Sequence, residues 1–408
     1  MKLLKTLLAS FLALALISAA SAQTTIRITG STAFRAAVYQ SIQNILAPGF
    51  VFGYSGTTAS KASQAIFTGN TKTGSLPVII KTSFSGSIGG ISTLAANLTI
   101  GTGGTFTGGG GWLVNSTPQS TGGTPNAPAN YDSPVTADVA MADCFQSSAP
   151  TIFHTPALQN NLVGVVTFEW VITPGTAALG TVNTSTSLTN AEISSSLVSG
   201  TLKLSTLSGN SGDTESVQAV GRDEDSGTRI QALACAAIKV QKPLKQFQPL
   251  FDGNTTPTVP PPAPGSQITG AALWPAVTLN TISYPTGDSG YNGGGSLASA
   301  VNVSHAGSRP TYANWILSYL GINDAATVTN GIVLQFNGVP YSAAAVENGT
   351  YTYWGYEHLY YRKTFSGTGK TVANQLVGDI KNTTATISGI LLSAMTVTRD
   401  GDGKPIEH

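Results

Sequence analysis

The sequence predicts an α/β fold, and three observations predict it. Strand-like runs alternate with helical patterns along most of the chain. Of the 408 residues 41% are hydrophobic, enough for one large core or two ordinary ones. Three of the strand-like runs also end in a turn of small residues that opens directly into a helical pattern. The high content of Gly, Ser and Thr keeps a β-sandwich open as the alternative.

The chain starts with a segment outside the fold. Lys2 and Lys5 form a basic flank, Leu7 to Ile17 a short apolar stretch, and Ala20-Ser21-Ala22 a small-residue cleavage site, so residues 1–22 read as a signal peptide. The apolar stretch is too short for a membrane span, and no Cys follows the cleavage site to carry a lipid. The mature chain is expected to start near Gln23 and to be soluble, in the periplasm or secreted.

TTIRITG, ending at Gly30, is the first strand. In the helix after it Phe34, Ala37, Val38, Ile42, Ile45 and Leu46 share one face, and Pro48-Gly49 stops it. PVIIKTSF, from Pro77, is the second strand signal. It runs into GSIGG and a helix with Ile88, Ile91, Leu94 and Leu98 on one side. Residues 101–134, rich in Gly, Thr, Pro and Asn, are expected to be a loop insertion. ADVAMA and LVGVVTFEWVI are strands, and Leu188 to Leu197 is a short helix capped by Thr189 or Asn190. SVQAVG is a strand, followed by a helix that aligns Ile230, Leu233, Ala234, Ala237 and Ile238. A Pro-rich loop from Thr256 to Pro264 precedes the strand signals WILSYLGI, GIVLQF and TYTYWGYEHLYYR. Thr371 to Met395 reads as a long terminal helix.

Charged residues are only 10% of the chain and the net charge is +1, where about a quarter charged is usual. No broad field for nucleic acid or a membrane surface exists, so a charged ligand needs a local site. Cys144 and Cys235 are not a disulfide framework. An oxidising compartment permits one bridge, although nothing in the sequence brings the two together. His154, His305, His358 and His408 show no metal-ligand spacing, so neither metal nor cofactor is expected.

The three strand-to-helix corners are GSTAF (Gly30 to Phe34), GSIGG (Gly86 to Gly90) and DSGTR (Asp225 to Arg229). The first amides of a helix lack partners within it, and the dipole adds partial positive charge there. Ser and Thr hydroxyls add donors, and Gly lets a ligand approach the backbone. Such ends hold phosphate without net basic charge. Each alone is more commonly a helix cap; their meeting is what makes a site.

From about Thr25 onward the order of motifs resembles the periplasmic phosphate-binding proteins of ABC transporters. TGSTAFRAAVY is similar to that family's GAGATFPAPVY-like start, GSIGGI to its GSSGGV turn, and ADVAMADCF to its VDFGASDAP strand end. LTNAEISSSLVSGTL is similar to its short helix, RDEDSGT to its RADGSGT loop, and DGDGKPI to its SSGKPL tail. The resemblance implies a two-lobe periplasmic binding protein fold of type II, with a central cleft and two crossing hinge strands near LVGVVTF and TYTYWGY. It implies one lobe from residues 23–164 and 353–408 and another from 165–352. It implies a binding protein rather than an enzyme: a monomer that captures inorganic phosphate and delivers it to an ABC transporter permease.

For the site, the resemblance implies Thr32, Ala33 and Phe34 at the first corner, with Phe34 giving its backbone N–H, and Ser87 at the second. Asp143 accepts a proton from the bound phosphate and Arg222 pairs with the anion. Ser226, Gly227 and Thr228 donate from the third helix start. The chemistry suits these types. Arginine offers a planar, permanently charged fork of donors. A carboxylate in an anion site accepts from monohydrogen phosphate and repels sulfate, which has no proton to give.

The chain also departs from the pattern. The family's Thr is Ala33, so Thr32 or Ser31 must supply that hydroxyl. Its Asp is Glu224, expected to pair with Arg222, and its Gly is Asp225. Sulfate or molybdate on the same fold stays open as an alternative, as does a secreted structural or adhesive protein. GDSGY, from Gly287, is similar to the nucleophile loop of trypsin-like proteases but has no companion histidine; it reads as a Gly-rich turn near the cleft. DGDGK, from Asp400, lacks the later ligands of a calcium loop. Tyr351, Tyr353, Trp354, Tyr356, Tyr360 and Tyr361 alternate as in a strand. Core packing is expected of them, with carbohydrate stacking as the alternative.

Overall fold

The computed structural model describes residues 23–106, 110–175, 182–254, 266–302 and 312–408. The expected signal peptide, residues 1–22, and the loop expected from Thr256 to Pro264 lie outside them. The first lobe is built on β1 (Thr24–Gly30), α1 (Arg35–Ile45), β2 (Val51–Tyr54), β3 (Gln64–Asn70), β4 (Pro77–Ser83), α2 (Ser87–Ala95), β5 (Thr99–Ile100), β6 (Val135–Thr136) and β7 (Val139–Ala142). The long strand β8 (Gln159–Thr173) leads into the second lobe. There follow β9 (Ser187–Leu188), α3 (Asn190–Ser199), β10 (Thr201–Lys203), α4 (Leu204–Ser208), β11 (Ser216–Ala219), α5 (Gly227–Cys235), β12 (Phe247–Phe251), β13 (Ile268–Leu273), β14 (Val277–Leu279) and β15 (Ile282–Tyr284). The lobe is completed by α6 (Gly294–Val301), β16 (Trp315–Gly321), α7 (Ile322–Ala325), β17 (Ile332–Phe336) and α8 (Ala343–Glu347). The chain returns through β18 (Trp354–Tyr361), and α9 (Gly367–Asn382) packs back on the first lobe.

Both lobes share one 12-stranded sheet, ordered β10-β11-β16-β8-β18-β7-β1-β4-β3-β2, with β17 joined to it at β8 and β9 paired to β17. β8 pairs with β18 along its first half and with β16 along its second. The second crossing lies just before β18, where the Phe168 N–H donates to the Tyr353 carbonyl at 3.2 Å. Two α/β lobes joined by two crossing strands are therefore the architecture.

The centre of the first lobe is parallel: β1 lies between β4 and β7, with Thr29 opposite Ser83 and Gly30 opposite Met141. Parallel strands need cover on both faces. Ile26, Ile28, Val78, Ile80 and Val139 pack with α1 and α9 on one side, and Ala140 and Ala142 of β7 pack with α2 on the other. Three parallel strands end at one edge, so the turns after Gly30, Ser83 and Ala142 must lie together.

Several expectations shift. The helix after SVQAVG stops at Cys235, because Ala237 adopts φ +59° and is exposed. The terminal helix ends at Asn382; the β-branched run Thr383-Thr384 and Thr386-Ile387 continues only as a short 3₁₀ turn, well before Met395. β2 and β3 form an antiparallel edge that the hydrophobic pattern did not announce. The insertion is closed at its base by β5 and β6, and buries Trp112 and Leu113. Cys144 and Cys235 are both free thiols. The aromatic run of residues 351–361 is buried core, with Tyr353 stacked on Trp170 at 5.5 Å.

Candidate functional site

The parallel edge is stitched by backbone bonds. The N–H of Ser31 donates to the Met141 carbonyl at 2.8 Å, and those of Ser85 and Gly86 donate to the Gly30 carbonyl at 3.2 and 2.9 Å. Gly30 sits at φ +109°, and a Cβ there would meet the Met141 carbonyl oxygen, so only glycine turns this corner.

Asp143 follows β7 at this edge and is 2% exposed. Its Oδ1 accepts from the Ser87 hydroxyl at 3.1 Å and its Oδ2 from the Thr228 hydroxyl at 3.3 Å. The Ser87 Oγ in turn accepts the Asp143 backbone N–H at 3.0 Å. Thr228 opens α5 in the second lobe, so this carboxylate joins the second corner to the third across the lobes. Gly227 allows the approach, since a Cβ there would meet Ser87 Oγ and come within 3.0 Å of the Asp143 Cβ. The Ile88 N–H closes the junction by donating to the Asp225 carbonyl at 2.9 Å.

Arg222 connects the lobes at the first corner. Its Nε donates to the Tyr291 carbonyl at 2.9 Å, and one terminal nitrogen donates to the Asn292 carbonyl at 3.1 Å and to the Thr32 hydroxyl at 3.3 Å. The expected pairing with Glu224 does not form: the Glu224 carboxylate accepts from the Ser289 hydroxyl at 2.8 Å instead. The GDSGY loop thus frames the cleft by lending Arg222 the Tyr291 carbonyl, while Asp288 pairs with the buried Arg229.

The remaining corner residues are occupied locally. The Phe34 N–H donates to Ser31 Oγ at 3.3 Å, and its ring is buried in the core. The Ser226 hydroxyl caps α5 by accepting from the Arg229 N–H at 3.3 Å. Ala33 faces Gly321, where a Cβ would stand 3.7 Å from its own.

Several polar groups at the cleft were not singled out from sequence. Glu357 on β18 is fully buried beside Asp143. β18 runs antiparallel to β7 with His358 opposite Ala142, which sets Glu357 next to Asp143 on the following pair. Burial first, and then the Asp143 charge, raise its carboxyl well above the usual range. Asp225 is also raised well above its ordinary value, by burial and by the charges of Asp223 and Glu224. Between the lobes lies a cavity of about 510 Å³ whose wall includes Thr32, Arg35, Lys61, Asn292, Ser296 and Asp324. Ser87, Asp143 and Thr228 pack on one another outside that wall.

No family model matches the chain, and no curated protein does. Among solved structures it is similar to a Clostridium perfringens protein named as a phosphate ABC transporter substrate-binding protein, solved with phosphate bound. The identity is 12%, coverage is 90% of this chain and 99% of that one, and the TM-score is 0.48. It is likewise similar to an ABC-type phosphate transport receptor from Vibrio cholerae, at 12% identity, 90% and 99% coverage and a TM-score of 0.46.

The fold is a mixed α/β one of two lobes built on one shared sheet. What identifies it is the pair of strands crossing between lobes that face each other over a cleft. The helix starts at Ser87 and Thr228, one from each lobe, meet at the Asp143 carboxylate. No helix among the described residues is long and apolar enough to cross a membrane.

Proposed function

We propose that the chain is an exported, monomeric solute-binding protein that captures inorganic phosphate between its lobes and delivers it to an ABC transporter permease. The observation that carries this reading is the Asp143 carboxylate, held by one hydroxyl from each lobe, with Arg222 locked across the same interface. Arg222 supplies the positive charge, and Thr32 and the helix starts at Ser87 and Thr228 supply neutral donors. Asp143 supplies the acceptor that only a protonated oxyanion can satisfy. Each carboxylate oxygen has about two acceptor positions, so the hydroxyls of Ser87 and Thr228 leave room for a phosphate O–H. Hinge motion about the crossing strands opens the two halves of the site and recloses them around the ligand. Micromolar binding corresponds to about −8 kcal/mol, which a few charge-assisted bonds of roughly 1.5–3 kcal/mol each supply.

Calorimetric titration of the mature protein at neutral pH tests the reading. Phosphate is expected to bind more than about tenfold tighter than sulfate, because sulfate meets the Asp143 charge without a proton to offer it. Asp143→Asn is expected to narrow that ratio to within about threefold, since an amide can donate to either anion. Equal binding of both anions by the wild-type protein would remove Asp143 from its selecting role, and no binding of either would end the assignment.

A further inference from the structure

Glu357 is a fully buried carboxyl to which nothing donates. Both of its oxygens are shielded from solvent, and neither receives a hydrogen bond from a described residue. Across the ladder it faces Gly164 of β8, which brings no side chain, and a Cβ there would meet the Phe34 ring. No cation among the described residues acts on it; the charge it feels is that of Asp143. The titratable groups around it, His358, Cys144 and Tyr360, are all held neutral by burial. A buried carboxylate with no donor and a negative neighbour is costly, so the group keeps its proton. The acceptor within reach of that proton is the Asp143 carboxylate.

Asp143 needs such a donor. Two of the groups that hold it come from α5 in the second lobe: the Thr228 hydroxyl on its carboxylate, and the Gln231 side-chain amide on its backbone carbonyl at 2.6 Å. Both leave with that lobe in the proposed opening of the cleft. Ser87 and Glu357 stay, since Ser87 opens α2 of the first lobe and β18 pairs directly with β7. A carboxylate has about four acceptor positions. Ser87, Thr228 and Glu357 take three and leave one for a proton of the ligand.

We propose that Glu357 is a positioning residue of the cleft: its carboxyl O–H donates to Asp143 and holds that carboxylate ready, one acceptor position open to the ligand, while the lobes are apart. The role rests on the reading of the cleft as a phosphate site. Calorimetry with phosphate and with sulfate compares wild type, Glu357→Gln and Glu357→Met, each also in a chain carrying Asp143→Asn. Glutamine keeps a donor, so Glu357→Gln is expected to bind phosphate within about threefold of wild type. Methionine has similar length and no donor, so Glu357→Met is expected to weaken phosphate about tenfold, the loss of one charge-assisted hydrogen bond. Sulfate has no proton for Asp143 and is expected to change by no more than about threefold in either variant. With Asp143→Asn in place, Glu357→Met is expected to cost phosphate nothing further, because the group it acts through is gone. Whether or not the Met variant folds, the infrared spectrum of wild type at pH 7 is expected to show a protonated-carboxyl stretch that Glu357→Gln lacks. Absence of that band, Gln and Met variants behaving alike, phosphate and sulfate losing alike, or an undiminished cost in the Asp143→Asn chain each overturns the role and leaves the phosphate reading standing. A wild type that shows the band but binds neither anion overturns the phosphate reading, and the role with it.

Discussion

Arg222→Ala is expected to weaken every oxyanion by at least about 100-fold, as truncating one partner of a buried charged contact usually does. Arg222 is 2% exposed. It is fixed by two carbonyls of its own lobe and by Thr32 of the other. Its backbone is fixed as well: the Arg222 N–H donates to the Tyr319 hydroxyl at 3.0 Å, and the Gln246 side chain donates to its carbonyl at 2.9 Å. A group positioned this firmly meets an anion with little ordering left to do. Lysine at this position keeps the charge but not the planar fork, so Arg222→Lys is expected to recover only a small part of the affinity. Titrations with phosphate and with sulfate measure the loss, and circular dichroism establishes that the variants are folded. A folded Arg222→Ala protein that binds phosphate within about threefold of wild type removes Arg222 from the site.

Glu357→Gln is expected to stabilise the protein at pH 8 and to leave it nearly unchanged at pH 4. Burial and the neighbouring Asp143 charge hold the Glu357 carboxyl well above its ordinary value. The folded state therefore keeps a proton that the unfolded chain releases near pH 4.3. An acid raised in this way stabilises the fold fully below the unfolded value, and that contribution is lost as pH rises towards the folded value. Each pH unit in that window is worth about 1.4 kcal/mol. Glutamine carries no titrating proton, and its amide can still donate to Asp143. The expected gain at pH 8 is about 2 kcal/mol, read from urea unfolding of wild type and variant at the two pH values. A loss of stability of equal size at both pH values would show that Glu357 acts through packing alone.

The order of elements was legible because burial imposes a period. Ile26 and Ile28 of β1, Val78 and Ile80 of β4, and the stripe Val38, Ile42 and Ile45 of α1 are all core. β2 was not legible, since a four-residue strand interrupted by Gly53 carries too little alternation. Nor was the end of α9: the apolar residues beyond Asn382 continue a helical spacing, but the threonines between them favour turns. Where the lobes meet, Ser87 and Thr228 were legible as starts of the helices after two of the corners, whereas Asp143 and Arg222 lie outside the corners and were named only from the resemblance. Glu357 was not, as it becomes a neighbour of Asp143 only through the pairing of β18 with β7. Arg35, Lys61 and Asp324 come from three separate segments and line one cavity only when the lobes face each other. The Arg222 to Glu224 pairing failed for a local reason: the Ser289 hydroxyl lies closer to that carboxylate.

β8 has a consequence for how the molecule comes apart. One uninterrupted strand supplies hydrogen-bonding edges to both halves, and a single apolar cluster runs from Ile28 and Val139 on one side to Leu317 and Tyr319 on the other. Neither half can melt while the other keeps its sheet intact, because the loss would strip a central strand of its partners and leave open edges. Denaturation is therefore expected to proceed as one cooperative event, and a ligand that settles in the cleft is expected to protect the entire chain by mass action.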